Sequence, residues 1–172
     1  MAILEIVTFP STVLRKKTKA FTEFDKHMLD PLIKDMGETM YVAPGVGLAA
    51  NQIGLSLKIA VIDSVWKSED PKRDLRVFLN PEILEKKDPI EFEEGCLSLP
   101  GVTATVKRFN SVIVRYHDRE GKEKILKAQG LLAVALQHET DHLNGKLYID
   151  HLSALKRELL LKKYKKLKTS PQ

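Results

Sequence analysis

The chain carries one cysteine, Cys96, in 172 residues. No internal disulfide can form, and the thiol must serve packing, reactivity or ligation. No apolar run is long enough to span a bilayer, which excludes a helical membrane anchor. The start Met1-Ala2-Ile3-Leu4-Glu5 lacks the basic opening and apolar stretch of a secretion signal, so a cytoplasmic protein with no membrane partner is expected. The glycines of Gly45-Val46-Gly47-Leu48-Ala49-Ala50-Asn51-Gln52-Ile53-Gly54 match neither phosphate-loop pattern, because no Lys-Ser/Thr follows and no Gly-x-Gly-x-x-Gly spacing is met. No nucleotide is expected. Read locally, this stretch is a tight connection; its functional reading is a loop of small residues that a substrate backbone could approach, with Gln52 as an amide donor.

What is present is ordinary for a folded domain. With 43% hydrophobic and 30% charged residues, a single unit over residues 1–172 can bury a core without disulfides. The net charge of +5 is uneven. Between His151 and Gln172 lie seven of the 28 basic residues and one of the 23 acidic ones, which leaves 21 basic against 22 acidic in the body. The basic character therefore belongs to the tail, residues 151–172.

The chemistry concentrates in Gln137-His138-Glu139-Thr140-Asp141-His142, at the end of the apolar run Leu131–Leu136. On a helix, His138 and His142 lie one turn apart on one face and can direct imidazole nitrogens at a single ion. Glu139 then brings a carboxylate beside the ion's open position, where a water would need a general base. Two histidines and a glutamate on so apolar a segment would be costly to bury without a partner.

A catalytic metal usually takes three protein ligands. Tyr148 stands where the metzincin pattern has its third histidine, so that route is closed. Gly145 reads as the residue past the helix C-terminus. Cys96, within Glu93-Glu94-Gly95-Cys96-Leu97-Ser98-Leu99-Pro100-Gly101, has three readings: a small buried hydrophobe, a nucleophile with a histidine as its base, or the missing ligand. The nucleophile reading leaves the His-Glu-x-x-His spacing unexplained, whereas a Cys-His-His set suits a divalent transition metal.

Apolar residues Met28, Leu29, Leu32, Ile33, Met36 and Met40 recur at helical intervals from Asp25 to about Met40, with the three methionines as core filler. Phe9 to Lys17 reads as a turn into a short helix with Ser11 as its cap. Strands are expected over Leu57–Asp63 and Arg76–Leu79, then as short segments over Ile90–Glu93, Ala104–Arg108, Ser111–His117 and Lys124–Lys127, with a hairpin turn at Arg119-Glu120-Gly121-Lys122. Leu152, Leu155, Leu159, Tyr164 and Leu167, with lysines between, predict an amphipathic C-terminal helix that docks by that side. Helices and strands do not alternate, so the class is α+β: antiparallel strands packed around the central helix that bears the two histidines.

Three blocks together, Gly45–Gln52, Glu94–Pro100 and Gln137–Gly145, resemble the peptide deformylases in order and separation, and the resemblance extends over almost the whole chain. It implies removal of the formyl group from N-formylmethionyl nascent peptides, with the metal held by Cys96, His138 and His142. The implied native ion is Fe2+, with Zn2+, Ni2+ or Co2+ as replacements. A water at the ion attacks the formyl carbon, with Glu139 as general base and acid. The side chain of Gln52 and the N–H of Leu97 stabilise the oxyanion. Val46 and Gly47 pair with the peptide backbone, and Leu131, Val134 and Ala135, closed by Leu97, line a methionine-sized pocket. Thr103 stands where many bacterial members have an arginine, which removes a charged clamp there. Arg108 matches a family arginine, and a salt bridge from it to Glu94 is expected to fix the cysteine loop. The basic tail implies contact with the ribosome. Two alternatives stay open: a His-Glu-x-x-His metallopeptidase, and a ribosome- or RNA-binding module with a structural metal.

Overall fold

The computed structural model describes residues 2–170; residues 1, 171 and 172, at the ends of the 1–172 unit, lie outside the described residues. Five strands, β1 (Gly47–Ala49), β2 (Ile59–Ile62), β3 (Arg76–Cys96), β4 (Leu99–His117) and β5 (Glu123–Gln129), form one sheet in sequence order. Every neighbouring pair is antiparallel. Three helices accompany them: α1 (Lys26–Val42), α2 (Gly130–Leu143) and α3 (Ala154–Thr169). The α+β expectation holds, and among the described residues no helix is long and apolar enough to cross a membrane.

Strand β2, Ile59-Ala60-Val61-Ile62, is buried at every position because both of its faces are covered. Side chains alternate across a strand, so Ile59 and Val61 join Leu29, Ile33, Met36 and Met40 of α1, while Ile62 joins Ala133, Ala135 and Leu136 of α2. The sheet is thus held between α1 and α2, and β1 is one of its edges.

Helix α1 begins where expected, with the Asp25 side chain accepting from His27 N at 2.9 Å. Two details differ. Met28 is 67% exposed, so only Met36 and Met40 fill the core. The Ser11 side chain makes no cap bond to the 3-10 turn Thr12–Arg15.

Of the strands expected from Arg76 onward, the first four prove to be parts of two long ones, β3 and β4, and Lys124–Lys127 lies in the separate strand β5. The proline pairs Asn80-Pro81 and Asp88-Pro89 do not end β3. Asn80 and Asp88 take positive φ, 52° and 60°, and the register shifts between Leu79 and Glu82 and between Ile83 and Glu85. A bulge absorbs Asn80-Pro81, while Asp88-Pro89 stays in register, with Lys87 opposite Ser111 and Pro89 opposite Phe109; neither arrangement leaves a mark in hydrophobic periodicity.

Helix α3 forms within the tail, but only Leu152 and Tyr164 of the expected side dock, joined by Leu160. Leu160 and Tyr164 pack against Leu99, Val106, Tyr148 and Leu152, and Tyr164 Oη donates to Phe9 O at 2.8 Å. Leu155, Leu159 and Leu167 are 66%, 58% and 48% exposed. Helix α2 ends as read: Gly145 has φ +76°, and Lys146 N donates to Asp141 O at 2.9 Å.

Candidate active site

Helix α2 carries apolar residues on most of its surface, and this holds its last two turns inside the molecule, with His142 fully buried. Nε2 of His138 and Nε2 of His142 face one another at 3.1 Å. The third donor arrives from the sheet. Cys96 pairs with Leu99 across the two-residue connection of β3 to β4, which brings its Sγ to 3.2 Å from His142 Nε2. All three donor atoms lie within 4.8 Å of one another, the one such group among the described residues. Donors arranged tetrahedrally at 2.0–2.3 Å from one ion stand roughly 3.3–3.6 Å apart, close to this arrangement. Beside them Glu139 Oε2 is buried with no hydrogen-bond partner. Three donors rather than four, with a carboxylate left free, fit a catalytic divalent metal better than a structural one.

A set of polar groups fixes His138 from behind. Its Nδ1 lies 2.8 Å from Glu94 Oε1, which leaves Nε2 for an ion. Arg108 holds that carboxylate by two bonds, Nε to Oε2 at 2.6 Å and Nη2 to Oε1 at 2.9 Å. Arg108 Nη1 donates to Asp141 Oδ2 at 2.8 Å, and the same oxygen lies 2.7 Å from His151 Nε2. The Arg108–Glu94 bridge is the one expected from the sequence. The roles of Asp141 and His151 were not, since His151 carries no local signal. Tyr148 does not reach the donor cluster as a ligand; its ring stacks on His138 with centroids 6.2 Å apart.

Burial favours the neutral form of both imidazoles. At His138 the hydrogen bonds with Cys96 and Glu94 outweigh it and hold the pKa well above its ordinary value. At His142 burial and the neighbouring His138 both act downward, and the pKa falls well below. Burial would also raise Glu94, but His138 and Arg108 overcome it and keep this carboxyl below the usual range. Glu139 receives no such hydrogen bonds, and burial outweighs the nearby His138 charge and pushes its pKa up to about 7.

These groups open onto a cleft of about 850 Å³. Cys96, His138, Glu139, Gln52, Leu97, Val46, Gly47, Leu131, Val134 and Ala135 all line it; His142 lies behind. Gln52 accepts from Ala49 N at 3.0 Å and donates through Nε2 to Ser98 Oγ at 3.0 Å, with Cys96 Sγ 3.7 Å away. Ser98 is fully buried and so orients the amide; only its place next to Leu97 hinted at this. Asn51 Nδ2 donates to His142 O, anchoring the end of α2 to the small-residue loop. Thr103 lies in the same cleft, with Oγ1 donating to Glu93 Oε1 at 3.0 Å.

A helix that turns two imidazoles toward a strand-borne thiol, with a raised carboxylate free beside them, defines a metal-dependent hydrolase. The sequence model of the polypeptide deformylase family matches residues 3–158. The chain belongs to that family. It is 52% identical over 166 residues, 96% of this chain and 97% of the relative, to the peptide deformylase of Desulfotalea psychrophila. It is 48% identical to that of Agrobacterium fabrum, with 96% of each covered. Among solved structures, a peptide deformylase from Legionella pneumophila superposes with a TM-score of 0.89 at 47% identity, covering 99% of this chain and 100% of that one. One from Ehrlichia chaffeensis in complex with actinonin superposes with a TM-score of 0.89 at 36% identity, with 99% and 100% covered. Neither the metallopeptidase nor the RNA-binding module is supported by these relatives.

Proposed function

We propose that the reaction of this deformylase, hydrolytic removal of the formyl group from formyl-methionine at the N-terminus of nascent polypeptides, is carried by Glu139 beside a metal held by Cys96, His138 and His142. The observation that carries this reading is the buried, unpartnered Glu139 Oε2 next to three convergent donors. A thiolate with two imidazoles suits Fe2+, the ion we assign natively, and also Zn2+, Ni2+ or Co2+. When bound, the ion supplies Lewis acidity toward the formyl oxygen and acidifies water.

The chain's own groups do the rest. Glu139, poised near neutrality at about 7, takes the proton of the attacking water and returns one to the departing amine, so that formate and a free amino terminus result. Gln52 Nε2, fixed by Ser98, and the N–H of Leu97 donate to the oxyanion, each worth about 2.7–4 kcal/mol if aimed at that charge. Val46 and Gly47, at the edge of the sheet, receive the peptide as an added strand. Leu131, Val134 and Ala135, with Leu97 over them, take the methionine side chain.

The whole chain acts as one catalytic unit, placed in the cytoplasm where formylated chains emerge. Helix α3, with Lys156, Lys162, Lys163 and Lys166 around exposed Leu155 and Leu159, contacts the ribosome. Salt-sensitive co-sedimentation with ribosomes, abolished by charge reversal of those lysines, is the result this requires. The primary test is formate release from formyl-Met-Ala-Ser under anaerobic conditions, beside Glu139→Ala with the same metal content. Formate from the wild type and almost none from the variant is expected; formate at wild-type rate from Glu139→Ala would overturn the assignment of the base.

A further inference from the structure

The loop between β2 and β3 is built around a buried carboxylate that the chemistry above does not use. Asp63 is fully buried. It accepts from Tyr41 Oη at 2.6 Å, from Val65 N and Trp66 N at 3.1 Å each, and from Asp74 N at 2.7 Å. Burial would raise its pKa, but these donors outweigh burial and keep it charged. One carboxylate thus joins positions eleven residues apart, at the two ends of the loop, and fixes the backbone of Trp66.

The loop spends this order on the substrate edge. The indole Nε1 of Trp66, whose ring packs edge-on against Tyr41 at 5.2 Å, donates to Gly45 O at 2.9 Å. Lys67 Nζ donates to Pro44 O at 3.0 Å, and Asp63 N itself donates to Val46 O at 2.8 Å. Three consecutive carbonyls, those of Pro44, Gly45 and Val46, are therefore held by three residues within a span of five. On its other side Gly45 is covered by Leu97, whose Cδ1 would lie 2.7 Å from a Cβ at that position. The Pro44–Gly47 segment is clamped between Leu97, facing the methionine pocket, and Trp66, outside it.

We infer that Trp66 is a positioning residue for substrate binding: its indole N–H, anchored through Asp63, holds Pro44–Gly47 in the one conformation that can receive the peptide strand. The inference rests on the reading of Val46 and Gly47 as the peptide-binding edge. A segment without this bond would have to be ordered by each incoming substrate, and that cost falls on binding rather than on the chemical step.

The chain has no other tryptophan, so fluorescence excited selectively at tryptophan, apart from the tyrosines, reports the surroundings of Trp66. Two measurements are needed. The first is the kinetics of Trp66→Phe on formyl-Met-Ala-Ser, at matched metal content and with the melting temperature recorded; phenylalanine keeps the ring and removes the donor. The second is wild-type fluorescence titrated with the product peptide Met-Ala-Ser. We expect KM to rise roughly three- to tenfold, as the loss of one hydrogen bond implies, with kcat within about twofold, and the wild-type emission to shift and saturate with peptide. An emission shift with an unchanged KM in Trp66→Phe would overturn the role of Trp66 and leave the peptide edge standing. No shift at a peptide concentration that fully inhibits the enzyme would overturn the peptide edge, and the inference with it. Should Trp66→Phe not fold, the titration still decides, since an unresponsive Trp66 refutes the coupling.

Discussion

The carboxylate of Glu139 lies against the backbone of Gly47, so closely that a Cβ at Gly47 would stand 2.7 Å from Oε1 and 3.0 Å from Cδ. The proposed general base and the proposed peptide-binding edge thus share a wall, and the absence of a side chain at Gly47 keeps that wall thin. Gly47→Ala should push Glu139 away from the metal donors. Loss of kcat/KM on the order of 100-fold is expected, the scale of a misplacement near 1 Å. Metal content and far-ultraviolet circular dichroism should stay as in the wild type; unchanged kcat/KM would show that Glu139 tolerates displacement.

Arg108 and Glu94 are 3% and 4% exposed, and removing either leaves the other buried with a single remaining salt-bridge partner, Asp141 for Arg108 and His138 for Glu94. Arg108→Ala should destabilise the fold by about 3–5 kcal/mol, the cost of breaking a buried pair from one side. Because Glu94 orients His138, metal affinity should also fall, by roughly 10- to 100-fold. Urea unfolding and competitive chelation measure the two effects separately. Unaltered affinity in a folded variant would show that Glu94 orients His138 unaided.

The acid limb of stability should carry the signature of Asp141. Burial would raise its pKa, but hydrogen bonds from His151 and Arg108 bring it from 3.8 down to about 2. A group depressed in the folded state contributes stability above its unfolded pKa and loses it as the pH falls. The contribution, about 2 kcal/mol, is therefore complete above pH 4 and lost between about 4 and 2. Denaturant unfolding of the wild type and Asp141→Asn across this window should show a gap that closes toward pH 2. A gap of constant size would assign the effect to packing.

An ion bound to the native donors and not to the unfolded chain stabilises the fold by mass action, about 2.7 kcal/mol at 100 times its Kd. Chelation should therefore lower the melting temperature by roughly 5–10 °C for a chain of this size. The loss should reverse on adding a divalent ion. In Cys96→Ala the chelator should shift the melting temperature much less. A full chelator response in that variant would remove Cys96 from the ligand set.

The sequence by itself determined what is local or scarce. Two histidines four residues apart share a helical face wherever that helix lies, and a chain with one thiol offers one candidate for a sulfur donor. Helix α1, β2 and the glycine that ends α2 were legible for the same reason, since period, cap and left-handed turn are properties of a few adjacent residues. The tertiary structure alone decided what depends on register. Glu94 stands opposite Ala104 and Ile90 opposite Arg108, so Arg108 meets Glu94 along one face of a bulged hairpin whose pairing no local pattern prints. The same holds for Asp141 with His151, for Ser98 behind Gln52, and for Trp66 on Gly45. It holds too for the docking side of α3, where leucines on two faces compete and the apolar surface around Tyr148 selects Leu160 and Tyr164 while Leu155 and Leu159 stay in solvent. Each is a contact between distant segments, fixed by how strands slide and helices turn once the core closes.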